Sequence, residues 1–228
     1  MESGVLFVAL LGGILPALLW LTFWLLEDRC EPEPKKFIFL CFLGGMLAVA
    51  PALFIERSLM PYFAGATLLF LWAAAEELLK FLAAYLLALR WAAFDEPLDA
   101  VVYMVTAALG FSAMENALFL LTPLGDGDLL RSIITGDLRF IGATLLHTLS
   151  SAFIGIALAL AYYKPAALRR AAALVGVILA VLLHGLFNFF ILQGGGGSTF
   201  WIFLAIWCGV VGLLVIIERI KQPKRDYC

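Results

Sequence analysis

Charge is scarce in this chain. Only 14% of its 228 residues are Asp, Glu, Lys or Arg and 64% are hydrophobic, whereas a soluble domain is roughly 45 to 50% apolar. That shortage excludes an ordinary water-soluble domain. It also leaves no basic patch and no base-stacking aromatic array, so nucleic acid is not an expected partner. Cysteine is equally thin: Cys30, Cys41, Cys208 and Cys228 are scattered, with neither the spacing of a thiolate metal site nor that of a disulfide framework. No H-E-x-x-H occurs, which removes the common helical zinc-protease arrangement. No internal repeat stands out, and no polar stretch is long enough to fold alone.

Long apolar runs take the place of charge. About 20 apolar residues cross the hydrocarbon core as a helix, and seven runs are of that order: 4–26, 37–55, 62–89, 99–121, 139–163, 169–192 and 199–218. The expected fold class is therefore all-α, a polytopic transmembrane bundle of about seven helices forming one integral membrane domain over 1–228. The first run follows Glu2 instead of a basic segment and ends in Leu26-Glu27-Asp28-Arg29 without a small-residue cleavage site, so it reads as a retained helix. The third would be about 42 Å long at 1.5 Å per residue and must tilt, bend or project beyond the bilayer. Pro16 and Pro51 are placed to kink their helices. The connection 122–138, with Gly125, Asp126, Gly127, Asp128 and Gly136, reads as a polar loop able to gate a site. The stretch 193–198, Gln-Gly-Gly-Gly-Gly-Ser, reads as a flexible loop.

Basic residues give an orientation. With the N-terminus outside, the inner segments hold Arg29, Lys35, Lys36, Arg90, Lys164, Arg169, Arg170, Arg219, Lys221, Lys224 and Arg225, eleven of the 15 Lys and Arg. Arg57, Arg131 and Arg139 fall outside, and Lys80 lies within a run. The C-terminus is then cytoplasmic, and Cys30 and Cys228 are expected to stay reduced.

Against so apolar a background, the ionisable residues inside the runs stand out. Each acidic or basic residue at the centre of a membrane helix costs about 2.5 to 3.5 kcal/mol, and the third run carries Glu76, Glu77 and Lys80. Three further runs add Glu115 and Asn116, His147 and Ser151, and His184 and Asn188. Both histidines of the chain are in that set. Glu76 with Lys80, His147 with Ser151, and His184 with Asn188 are each four residues apart and share a helix face. Glu115, His147 and His184 each lie roughly 9 to 12 Å from the outer end of their runs by helix rise, which places them in one layer. Singly, each has a structural explanation: an ion pair for Glu76 and Lys80, a hydroxyl bonded to its own helix for Ser151, interhelical bonds for Asn116 and Asn188. Four consecutive helices contributing such groups at compatible depth point to a site.

A carboxylate in a low-dielectric cavity can take a proton from water and return it to a leaving amine. An imidazole and an amide four residues apart, as in His184 and Asn188, can donate to the oxyanion of a tetrahedral intermediate. Peptide hydrolysis is therefore feasible, with no cofactor required. Zinc is the alternative, with Glu115, His147 and His184 as ligands. Gly125-Asp126-Gly127-Asp128 formally matches the G-x-G-D of intramembrane aspartyl proteases, but it lies in a polar loop and reads as a turn. A Ser151–His147 dyad would leave the carboxylates unexplained. Outside hydrolysis, the same groups could form a proton or ion relay of a transporter, or line a scaffold that captures membrane helices.

The motifs are specific in combination. Glu76-Glu77-Leu78-Leu79-Lys80 resembles the E-E-x-x-K of the PrsW intramembrane proteases, and Gly110-Phe111-Ser112-Ala113-Met114-Glu115-Asn116 resembles their G-F-x-x-x-E-N. Asp95-Glu96-Pro97-Leu98-Asp99 and Val102-Tyr103 precede the second motif in similar fashion. His147 with Gly155, and His184-Gly185-Leu186-Phe187-Asn188, resemble the third and fourth motifs in order. The likeness covers about 62–192 and leaves 4–26, 37–55 and 199–218 as flanking helices. It implies a prokaryotic cell-membrane protease that makes a site-1 cut in a single-pass membrane protein on its extracytoplasmic side, with anti-sigma factors as the best-known substrates. The distantly related prenyl-protein and bacteriocin-processing endopeptidases imply a glutamate-activated water with a His and Asn oxyanion site. By that analogy Glu76 is the base. Glu77 orients it or pairs with Lys80, Glu115 and His147 complete the water site, His184 and Asn188 hold the oxyanion, and Asn116 and Ser151 support.

Overall fold

In hydrocarbon a backbone finds no water, so its polar groups must be satisfied within the segment, and long apolar runs become helices. The computed structural model of the chain describes residues 3–27, 32–193 and 195–221, and the described residues contain no strand. The helices are α1 (Ser3–Glu27), α2 (Lys35–Leu59), α3 (Gly65–Ala84), α4 (Asp99–Gly125), α5 (Leu129–Leu138), α6 (Thr144–Leu160), α7 (Ala166–Gln193) and α8 (Gly195–Ile220). One π-helical turn, Tyr85–Leu89, extends α3, and another, Arg139–Ala143, joins α5 to α6. Among the described residues, six helical stretches are long and apolar enough to cross a membrane: Ser3–Leu26, Lys35–Leu59, Asp99–Gly125, Leu129–Leu160, Ala166–Gln193 and Ser198–Ile220. The expected seventh, α3, is present with its π turn and is set apart from those six by Glu76, Glu77 and Lys80. The molecule is a helical membrane bundle.

Helix α4 occupies the centre, packed against α1, α2, α3 and α6, while α6 also meets α7 and α8, and α3 meets α2 and α7. Along α4 even large side chains such as Tyr103, Met104, Leu109 and Phe111 are buried. The outer helices show the reverse pattern, with Leu19, Phe54, Leu174 and Trp201 exposed, as lipid-facing surfaces require. Glycine permits the tightest contact. A Cβ on Gly110 would lie 1.9 Å from the Phe42 carbonyl oxygen, and one on Gly45 2.0 Å from that of Ala107, so α2 and α4 meet backbone to backbone. Between α2 and α4, Tyr103 donates to the carboxylate of Glu33 and, at 3.1 Å, to the carbonyl of Ala93. Asp99 Oδ2 accepts the backbone N–H groups of Asp95 and Glu96 at 2.8 and 2.9 Å. This clasp is what Asp95, Asp99 and Tyr103 build at the start of α4.

Two loop expectations are corrected. The connection 122–138 is mostly helix: α4 runs on through Pro123 to Gly125, Gly127 turns at φ +73°, and Asp128 caps α5 by accepting Arg131 N–H at 2.9 Å. The turn reading of Gly125–Asp128 agrees with this, but a 10-residue helix follows it. Helix α5 shows Leu129, Leu130, Ile133, Ile134 and Leu138 on its exposed side, a face whose spacing within a polar stretch is easily read as loop. The glycine stretch expected as a flexible loop instead opens α8 from Gly195, and Gly194 lies outside the described residues. The predicted positions of Arg29, Lys224, Arg225, Cys30 and Cys228 also lie outside them.

Candidate active site

The expected polar layer comes together where α3, α4, α6 and α7 meet. Helix α3 is inside out: Glu77 and Lys80 are fully buried and Glu76 is 6% exposed, whereas Leu78 and Leu82 face outward. Lipid on one side and the bundle on the other impose that inversion, since burying three charges is tolerable only where partners meet them. Lys80 Nζ donates to Glu77 Oε1 at 2.6 Å and lies 2.9 Å from His147 Nδ1 of α6. It also stands 4.7 Å above the centre of the Phe111 ring of α4, a cation–π contact. His184 Nδ1 of α7 lies 2.9 Å from Glu77 Oε1, and Ser151 of α6 donates to Glu77 Oε2 at 2.7 Å. Glu77 is thus bound by Lys80, His184 and Ser151.

Glu76 is held differently. Its Oε2 is buried without a hydrogen bond. Three nitrogens face it, Lys80 Nζ at 3.7 Å, His147 Nδ1 at 3.8 Å and His184 Nε2 at 3.9 Å. Those distances exceed a direct hydrogen bond. The two imidazoles stand edge to face with ring centres 5.0 Å apart.

Behind His147 lies a second carboxylate. His147 Nε2 is 3.0 Å from Glu115 Oε2, which also accepts from Arg139 Nη2. Arg139 Nε donates to Asn116 Oδ1 at 2.5 Å, and the Asn116 amide donates to Thr144 and Ser112 at 3.0 and 3.2 Å. With Lys80 donating to Nδ1, the His147 ring carries its proton on Nε2, toward Glu115. The structure therefore brings Glu76, Glu77, Lys80, Glu115, Asn116, His147, Ser151 and His184 into one network. Asn188, one turn after His184 on α7 and partly buried, joins none of these bonds among the described residues.

Two further participants, Arg139 and Glu56, are not marked by the apolar-run pattern. Arg139 looked like a loop charge, yet the π turn carries it into the layer. Glu56 lay beyond the second apolar run, but α2 continues to Leu59, and the Glu56 side chain comes up against Glu76. An acidic residue immediately past an apolar run, with no Gly or Pro between it and Leu59, is the signal that could have found it.

Metal ligation has a specific geometry to answer to. Among the described residues, the trio within reach of one another is Glu76, His147 and His184, one donor atom of each lying within 4.8 Å of the others. Glu115, the ligand expected in the zinc alternative, stands instead on the opposite ring nitrogen of His147. A carboxylate with two imidazoles suits zinc, and Glu115 and Glu77 behind the rings resemble the carboxylates that orient ligating histidines. The arrangement fits less well than the donor types. Zinc bonds of about 2.0 to 2.1 Å in a tetrahedron put donors roughly 3.3 to 3.4 Å apart. More decisively, Lys80 donates to His147 Nδ1, the lone pair that a metal would need. Ion and ammonium compete for one nitrogen.

The sequence model of the family described as "PrsW family intramembrane metalloprotease" matches residues 33–216. A "Protease PrsW" of Geobacillus kaustophilus is 28% identical over 225 residues, covering 96% of this chain and 93% of the relative. One of Oceanobacillus iheyensis is 28% identical over 219 residues, covering 94% and 95%. One of Bacillus subtilis is 27% identical over 188 residues, covering 81% and 83%. No solved structure matches the chain.

Proposed function

Because the chain belongs to the PrsW family of intramembrane proteases, we propose that Glu76 is the base with which this bacterial membrane protein hydrolyses a peptide bond. The observation that carries the reading is the contrast between adjacent glutamates. Glu77 is saturated by Lys80, His184 and Ser151, while Glu76 Oε2 is buried, unbonded and ringed by three nitrogens at 3.7 to 3.9 Å. Contacts of that length are too long for direct hydrogen bonds and leave this oxygen as a free acceptor for a water that enters with substrate.

In the reaction, a water bound to Glu76 beside the His147 ring gives a proton to Glu76 as its oxygen attacks the scissile carbonyl carbon. The C–N bond then breaks as that proton passes to the amine, leaving a new carboxyl and a new amino terminus. His184 Nε2 and Asn188 are assigned to the oxyanion. Donation from Nε2 requires the ring to carry both protons, with the Nδ1 proton hydrogen-bonded to the Glu77 carboxylate. Lys80 keeps the Nδ1 face of His147 turned toward Glu76, and Asn116 and Ser151 hold the frame.

The substrate is a single-pass membrane protein of anti-sigma-factor type, cut on its extracytoplasmic side. The excess of Lys and Arg in the segments assigned inside, which puts the N-terminus outside, supports that side, and the motif resemblance supports the substrate class. A second reading is favoured by the Glu76, His147 and His184 donors. In it these three hold zinc, which when bound makes water a nucleophile at neutral pH, and Lys80 must give up His147.

The test is cleavage of a fluorescein-tagged single-pass reporter in liposomes containing the full chain, with the cut mapped by mass spectrometry. Glu76→Gln is expected to lower kcat by roughly 10²- to 10⁴-fold or more, the range of a lost general base, while the protein stays folded. A folded Glu76→Gln that cleaves at the wild-type rate removes the assignment.

A further inference from the structure

We infer that Arg139 is a positioning residue of this site, clamping Glu115 against His147 and so fixing which imidazole nitrogen faces Glu76. The inference rests on the reading of Glu76 and His147 as the water site. Glu115 Oε2 accepts from both Arg139 Nη2 and His147 Nε2, so one oxygen ties the guanidinium to the ring. A second nitrogen of the guanidinium is fixed too, since Arg139 Nε donates to Asn116 Oδ1 at 2.5 Å and the Asn116 amide is held by Ser112 and Thr144. Its face lies 3.9 Å from the centre of the Phe119 ring. Two nitrogens and a face are engaged, and the side chain is only 15% exposed.

The local backbone explains how a residue that begins as a loop charge arrives there. Arg139 opens the π turn Arg139–Ala143, which leads directly into α6 and His147. A π turn adds a residue to the helical repeat and shifts the phase of what precedes it, and such turns concentrate at functional sites. Arg139 and His147 then reach Glu115 from the same strand of backbone. Without the arginine, Glu115, whose side chain is 19% exposed, keeps only the imidazole to orient it. His147 then has only a loosely placed acceptor to hold its Nε2 proton away from Glu76. Arginine is suited to the task because its planar fork serves two acceptors at once, whereas lysine brings the charge to one.

The experiment measures kcat and KM separately, using a fluorescein-tagged single-pass reporter that the wild-type chain cuts in liposomes. Arg139→Gln is expected to lower kcat roughly 10- to 100-fold, the loss typical of groups that orient a working imidazole, with KM within about twofold. Arg139→Lys is expected to recover about half of that loss on a logarithmic scale. The double variant Arg139→Gln with Glu115→Gln should be no slower than Glu115→Gln alone, because both act through one ring. Wild-type kcat in Arg139→Gln, a rise in KM with kcat intact, or full additivity in the double variant overturns the inference. If Arg139→Gln fails to fold, Arg139→Lys decides by the same split: lowered kcat supports the clamp, and wild-type kcat or raised KM overturns it. Glu76→Gln runs alongside. An active Glu76→Gln removes the underlying reading, whereas an inactive one beside a fully active Arg139→Gln removes only the role of Arg139.

Discussion

Glu76 and Glu77 are neighbours on one helix, about 100° apart around it, yet the two sides of the site they point into are built differently. On the Glu77 side every bond is made: Lys80 and His184 share one carboxylate oxygen and Ser151 holds the other, all out of contact with water. On the Glu76 side one oxygen makes no bond and three nitrogens stand back from it. A buried charge that keeps its partners stabilises a membrane bundle, and a buried polar atom that lacks them is held there by the rest of the structure. The saturated side acts as scaffold. The unsaturated side is where a reacting molecule gains most by binding.

The largest break in that comparison is expected from Glu77→Ala. It leaves Lys80 buried beside two imidazoles and should lower stability by about 3 to 5 kcal/mol, read as a large fall in the unfolding midpoint in detergent. Ser151→Ala should cost less, about 1.5 to 3 kcal/mol, for one hydrogen bond to a charged acceptor. Glu76→Gln should shift the same midpoint least, by under about 1 kcal/mol, although it removes cleavage. A Glu76→Gln protein destabilised as much as Glu77→Ala would erase the distinction between the two sides.

Much of this arrangement is legible in the sequence because hydrocarbon leaves few options. The apolar runs give the helices almost residue for residue, as with 4–26 against Ser3–Glu27 and 169–192 against Ala166–Gln193. The four-residue spacings give shared faces, and the ionisable groups inside the runs converge as their depth suggests. Three features are not legible, each for a physical reason. Helix α5 is short and amphipathic, so a window tuned to membrane spans passes over it. Arg139 depends on a π turn, which shifts helical phase by an amount no sequence spacing reports. The division of labour between Glu76 and Glu77 depends on which neighbour each rotamer meets, and both lie on a helix buried on that side. Zinc ligands posed the same difficulty: Glu115, level with His147 by residue count, approaches the ring nitrogen turned away from Glu76.

If Glu76 activates the water as proposed, cleavage needs no metal ion. Purified full-length protein can be exhaustively chelated, analysed for metal, and assayed in liposomes on the single-pass reporter with and without added zinc. Retention of wild-type cleavage by metal-free protein is the predicted result. Loss of cleavage on chelation, restored by one equivalent of zinc and accompanied by Glu76-dependent zinc binding, would contradict it.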